Sequence, residues 1–198
     1  MSFAWAFYSV SQADFEGHFL GPHPEKLEAF TSALTWDEGA FDEESAQQIA
    51  EHLAEHGLNY ADLDEDRAAL LDEAVPMLIS EEGVGSSLQR VPESPEFVHP
   101  FVIESLLRAA KVGRISVLLL PILESGRRYG ATGPTEGCNY CVLSPSEAES
   151  LALELSTILG ATKDWGKEEY MPELVRKCLI GPLEKANKKK RALLGVLG

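Results

Sequence analysis

The sequence predicts an α+β protein that is mostly helical, with a small sheet. Apolar residues recur at helical spacing over long stretches, as at Ala46, Ile49, Ala50 and Leu53. Two short segments, near 3–10 and 138–143, are apolar and aromatic enough to read as strands. Each strand runs into a Ser-led amphipathic helix, at Phe7–Phe19 and again at Tyr140–Leu159. Two strands cannot bury their faces alone, so these two are expected to pair, with the helices packed over them.

Taken in order, residues 3–10 form the first strand and Ser11 opens the first helix. Gly21-Pro22-His23-Pro24 breaks the chain before a short helix over Glu25–Leu34. Asp42–His56 is a helix that Gly57 stops, and Asp64–Ile79 is another, which Pro76 is expected to kink or shorten. Residues 83–100 hold glycine, serine and three prolines and read as a loop. The chain is therefore one domain over 1–198, or two lobes with a seam near 83–100. Phe101–Val112 returns to helical spacing, whereas Arg114–Leu123 fits a buried strand and a buried helix equally well. Four glycines between 125 and 137 mark a mobile loop. Ser144-Pro-Ser-Glu147 is a strong helix start, and that helix stops near Gly160. The last 30 residues read as helical, with a break at Gly181-Pro182 and a basic stretch through Lys188–Arg191.

Composition narrows the function class. Hydrophobic residues make up 44% of 198 and mean hydropathy is −0.10, values typical of a globular chain. The longest apolar run, Ile115–Leu123, is far short of the roughly 20 residues that cross a bilayer. With no positive leader and only three cysteines, the expected location is the cytoplasm, without disulfides and without a membrane partner.

Charge is the most informative feature. Residues 1–100 carry 21 Asp/Glu against 3 Lys/Arg, whereas 101–198 carry 11 against 14. With a pI near 4.7, a field of this sign repels nucleic acid and favours a cationic partner. The densest clusters are Asp42-Glu43-Glu44 and Asp62-Leu-Asp64-Glu65-Asp66. They also stand at helix N-termini, where the helix dipole stabilises carboxylates. The spacing at 62–66 lacks the glycine and terminal glutamate of a calcium-binding loop.

Other strings carry chemistry of their own. His52-Leu-Ala-Glu55-His56 fits the signature of inverted zinc peptidases: two imidazoles one turn apart on a metal, with Glu55 as general base. A third ligand has to come from a distance, with Glu124 or Glu136 as candidates. The alternative is a last-turn histidine pair favoured by the dipole. Cys138-Asn-Tyr-Cys141 has redox spacing, but in a strand the two thiols face opposite ways, so buried structural cysteines are expected. Arg127-Arg128, in the glycine-rich loop, is a candidate grip for an anion or an acidic surface. No phosphate loop or nucleophile elbow is present, and no motif calls for a cofactor.

The order of segments, with Asp72-Glu-Ala-Val, then Leu78-Ile, then Leu143-Ser-Pro-Ser-Glu-Ala, resembles bacterial families of unknown function. That resemblance brings no catalytic residues with it. Small acidic proteins of similar standing act as immunity proteins against secreted toxins, by analogy. The sequence thus points to a non-enzymatic protein-binding module, of immunity or inhibitor type, for a basic partner. Its contact residues would be Asp42, Glu43, Glu44, Asp62, Asp64, Glu65 and Asp66. The alternatives are a zinc-dependent hydrolase on His52, Glu55 and His56, and a homo-oligomer joining the two oppositely charged halves.

Overall fold

The sheet has four short antiparallel strands: β1 (Trp5–Val10), β2 (Gln89–Arg90), β3 (Tyr140–Leu143) and β4 (Ala192–Leu197), in the order β2-β1-β4-β3. The computed structural model describes residues 4–35, 41–80, 89–90 and 98–197. Most of the reading of 83–97 as a loop lies outside these residues. The helices are α1 (Gln12–Phe19), α2 (Leu27–Thr35), α3 (Glu43–His56), α4 (Glu65–Ser80), α5 (Pro100–Gly113), α6 (Leu120–Ser125), α7 (Pro145–Ala161), α8 (Met171–Val175) and α9 (Gly181–Lys188). The fold is α+β and mostly helical.

The two strands expected to pair do not touch directly. Strand β4 lies between them, with Phe7 and Cys141 both opposite Gly195. The last segment, expected to be helical, is therefore the sheet's inner strand. All but its last residue are buried, so it lacks the polar alternation that advertises a half-exposed strand. Gly195 is required by this crowding. A Cβ there would stand 2.9 Å from Cys141 Sγ and 3.1 Å from ring carbons of Phe7 and Trp5.

By its contacts the chain divides into two compact units, one of Met1–Val10 with Gln89–Gly198 and the other of Ser11–Leu88. Ser9 pairs with Gln89, so the chain leaves the sheet after β1 and rejoins it at the adjacent position in β2. Ser11–Leu88 is thus an insertion between two neighbouring strands, a placement whose close ends tolerate grafting.

In the first unit, Trp5, Phe7, Cys141, Leu143 and Leu193 join residues of α5–α9 in one core. Helix α5 ends on Arg114 in the left-handed conformation, and the ambiguous segment after it resolves as an irregular stretch leading into α6. Glu154 of α7 caps α6, accepting hydrogen bonds from the backbone N–H groups of Leu118, Leu119 and Leu120 at 2.8–3.2 Å. The chain does not break at Gly181-Pro182. A π-helical turn over Arg176–Ile180 joins α8 to α9, with the Gly181 N–H reaching back to the Arg176 carbonyl. Proline lacks the N–H that an α-turn would direct at Cys178, and the wider turn removes the demand.

In the inserted unit, Asp42 caps α3 and Gly57, at φ 62°, ends it. Helix α4 runs through Pro76 to Ser80, so the proline is no boundary. Phe15, Phe30, Leu34, Leu53, Leu71 and Leu78 are fully buried.

Two outcomes follow from this architecture. Gly195→Ala is expected to lower unfolding free energy in urea by about 2 kcal/mol, the cost of overpacking, and adding Cys141→Ala to recover part of it. Replacing Ser11–Leu88 with a short glycine-containing turn is expected to leave the remaining unit folded, with a single cooperative thermal transition.

Candidate functional site

The acidic face is built on helix ends. Asp42 Oδ1 accepts the Ser45 backbone N–H at 2.8 Å, which holds its carboxyl below the usual range. Asp64 plays the same part for α4, accepting from the Arg67 N–H at 2.9 Å and pairing loosely with the Arg67 side chain at 3.7 Å. Glu43, Glu44, Glu65 and Asp66 follow in the first turns. All seven carboxylates proposed from the sequence, Asp62 included, are solvent-exposed. They do not form one patch. Leu63 and Arg67 share a hollow with His52 and His56, so α4 begins beside the end of α3. The 42–44 cluster stands at the other end of α3, which is about 20 Å long. Glu51 and Glu55, also exposed, lie along that helix between the clusters.

The unit boundary sharpens the charge division. Ser11–Leu88 contains 19 Asp/Glu against 2 Lys/Arg, and the other unit contains 13 against 15. Among the described residues of the acidic unit, only Asp72 buries its carboxylate, accepting from Tyr60 Oη at 3.0 Å.

His52 and His56 share one side of the last turns of α3, with ring centroids 5.3 Å apart. His52 Nε2 donates to the Asn59 carbonyl at 2.8 Å, which leaves only Nδ1 for a metal. Burial lowers its pKa below 6.5, with His56 acting in the same direction. Glu55 faces solvent and stands 3.7 Å from His56 Nε2. Glu124 and Glu136, the candidate third ligands, are exposed. Among the described residues no three His, Cys, Asp or Glu side chains stand close enough together to hold a metal ion. The helix therefore supplies the spacing of the peptidase signature without a third donor.

Arg127 is not a loop-tip grip. Only 8% exposed, it reaches from the loop after α6 to the start of α7. Nη1 meets Glu147 Oε1 at 2.6 Å, Nη2 meets Oε2 at 3.1 Å, and Nη2 also donates to the Val142 carbonyl. Glu147 in turn accepts the Ser144 N–H at 2.8 Å and closes a capping box. Burial raises the Glu147 pKa, but the bonds from Arg127 and Ser144 outweigh it and hold the carboxyl below 4.5. Arg128 is half-buried, and its backbone N–H lies 3.4 Å from Thr135 Oγ1. Arg127 presents no open fork to a partner. All three cysteines are buried and outside any disulfide, and burial pushes the Cys141 thiol up to about 12. It is not a nucleophile at neutral pH.

None of the residues singled out in the sequence lines the cleft between α5 and the end of α7, where Arg108, Lys163 and Trp165 carry no motif. Among the described residues no helix is long and apolar enough to cross a membrane. Comparison with protein-family models, curated proteins and solved structures found no match.

The buried pair sets an acid limb. A carboxyl whose folded pKa is depressed contributes stability above its unfolded value, about 4.5, and loses it as pH falls through the folded value. Arg127→Met is expected to destabilise by about 3 kcal/mol at neutral pH, because it strands Glu147 and the Val142 carbonyl. It should also flatten the pH dependence of the urea midpoint below about pH 4.5.

Proposed function

We propose that Ser11–Leu88 is a recognition module for a basic protein surface and that the protein acts as a non-enzymatic binder of immunity or inhibitor type. The observation that carries this reading is the concentration of 19 carboxylates against 2 cations in a single inserted unit, with the carboxylates of α3 and of the first turn of α4 exposed. A field of this kind raises the encounter rate with a cationic surface by about 10- to 1000-fold and excludes polyanions. Two separated clusters joined by Glu51 and Glu55 make a strip about 20 Å long, the length of α3. That span matches the half-width of a standard protein interface better than a single point contact.

The partner is identified by affinity capture from the native host at low salt, with release at high salt. The quadruple variant Glu43→Gln, Glu44→Gln, Glu65→Gln and Asp66→Asn leaves the capping residues Asp42 and Asp64 intact. It is expected to cut the association rate at low salt by at least about tenfold and to lower unfolding free energy by no more than about 1–4 kcal/mol, the dipole contribution of four first-turn carboxylates. Capture that is indifferent to salt, or undiminished in the variant, would defeat the proposal.

A further inference from the structure

We propose that the cleft between α5 and the C-terminal end of α7 is a binding site for a small zwitterion with an apolar body, of the free amino-acid class. It lies wholly in the unit that lacks the acidic excess, so it stands or falls independently of the protein-binding reading.

The cleft measures about 530 Å³, within the size range of small-ligand sites. Its walls come from the last two turns of α5, with Ala109 and Val112, and from the segment after α7 that carries Trp165. Val112 is 81% exposed, the most exposed of the valines and isoleucines among the described residues. The indole of Trp165 is half-buried against the core and offers a flat apolar wall. Its Nε1–H is buried and has no hydrogen-bond acceptor among the described residues. A donor in that state is an open demand for an acceptor.

Charge decides the class of ligand. Four charged side chains line the cleft: Arg108, Lys163, Asp164 and Glu168. None of them lies within 4.0 Å of an opposite charge among the described residues, although both signs are present in one small space. Asp164 is partly committed, since its Oδ1 accepts the Gly166 N–H at 2.7 Å. Arg108, Lys163 and Glu168 are left to bind something else. A ligand of one sign would satisfy half of this set and be repelled by the other half. A molecule with a carboxylate and an ammonium satisfies both: the carboxylate meets Arg108 and Lys163, and the ammonium meets Glu168 and the indole face. The apolar body then covers Ala109 and Val112.

Calorimetric titration of the full chain with phenylalanine, N-acetylphenylalanine and phenylalaninamide tests this directly, because the second lacks the ammonium and the third the carboxylate. Phenylalanine is expected to bind with a Kd of about 1 mM or tighter, and each analogue at least about tenfold more weakly. The double variant Arg108→Gln with Lys163→Gln should erase the preference over the amide and keep that over the acetylated form. Glu168→Gln should do the reverse. Trp165→Phe should weaken all three, with the circular dichroism spectrum unchanged. Equal binding of the three ligands, preference for the acetylated form, or no saturable heat with phenylalanine would each overturn the assignment.

Discussion

A guanidinium with almost no access to water organises the sheet-bearing unit. Arg127 joins three pieces of chain that share no local sequence logic. Its backbone N–H donates to the Tyr140 carbonyl at 2.8 Å, and its side chain holds the Val142 carbonyl and the Glu147 carboxylate. The outer edge of β3 is thus closed by the loop after α6, and the start of α7 is fixed relative to β3. Gly126, next to it, has φ 74°, and a Cβ there would land on the Cys138 carbonyl. The approach is close because glycine permits it. A buried ion pair is weak evidence for net stability, since desolvation consumes most of the attraction. Its value here is positional: an apolar pair in its place leaves a strand carbonyl and a helix-cap N–H without partners. An exposed sheet edge invites association with other chains, and this loop removes it.

The carboxylates of the inserted unit have two explanations that apply to different residues. Asp42 and Asp64 are caps, and Glu43, Glu44, Glu65 and Asp66 sit in first turns, where the dipole rewards negative charge by about 0.3–1 kcal/mol each. Helix stability alone would account for these six. It does not account for Glu51, in the middle of α3, or for Glu55, in its last turn, where the dipole opposes a carboxylate. Nor does it explain why 19 acids meet only 2 bases, when Glu–Lys pairs at helical spacing would stabilise the same helices better. The surplus beyond the caps is the part that asks for a partner.

What could be seen in the sequence was whatever is written locally. The caps at Asp42 and Ser144, the stop at Gly57 and the spans of α3, α5 and α7 all follow from spacing within one element. Strand β4 was hidden because its leucines and alanine favour helix, it follows a lysine-rich helix end, and burial on both faces erases alternation. The role of Arg127 was hidden because its partner Glu147 is 20 positions away, while the glycines around it read as a flexible tip. Glu147 itself was visible as a capping-box residue, and a helix cap beside a strand end is where a second, buried partner is worth seeking. The Trp165 cleft left no sequence trace, since its charges come from α5 and from the distant segment after α7, with no shared spacing.

The topology also orders assembly. The inner strand pairs across almost the whole chain: Arg191 Nη2 reaches the Ser9 carbonyl at 3.1 Å over 182 positions. Loop closure over that distance must be offset before any sheet contact contributes, so β1 stays unpaired with β4 until synthesis reaches the last strand. The inserted unit has no such requirement. Its contacts, from the Phe19 carbonyl with the Leu58 N–H to the Tyr60 hydroxyl with Asp72, close over tens of residues or fewer. The contacts of the inserted unit therefore carry a smaller loop-closure cost than those of β1 with β4.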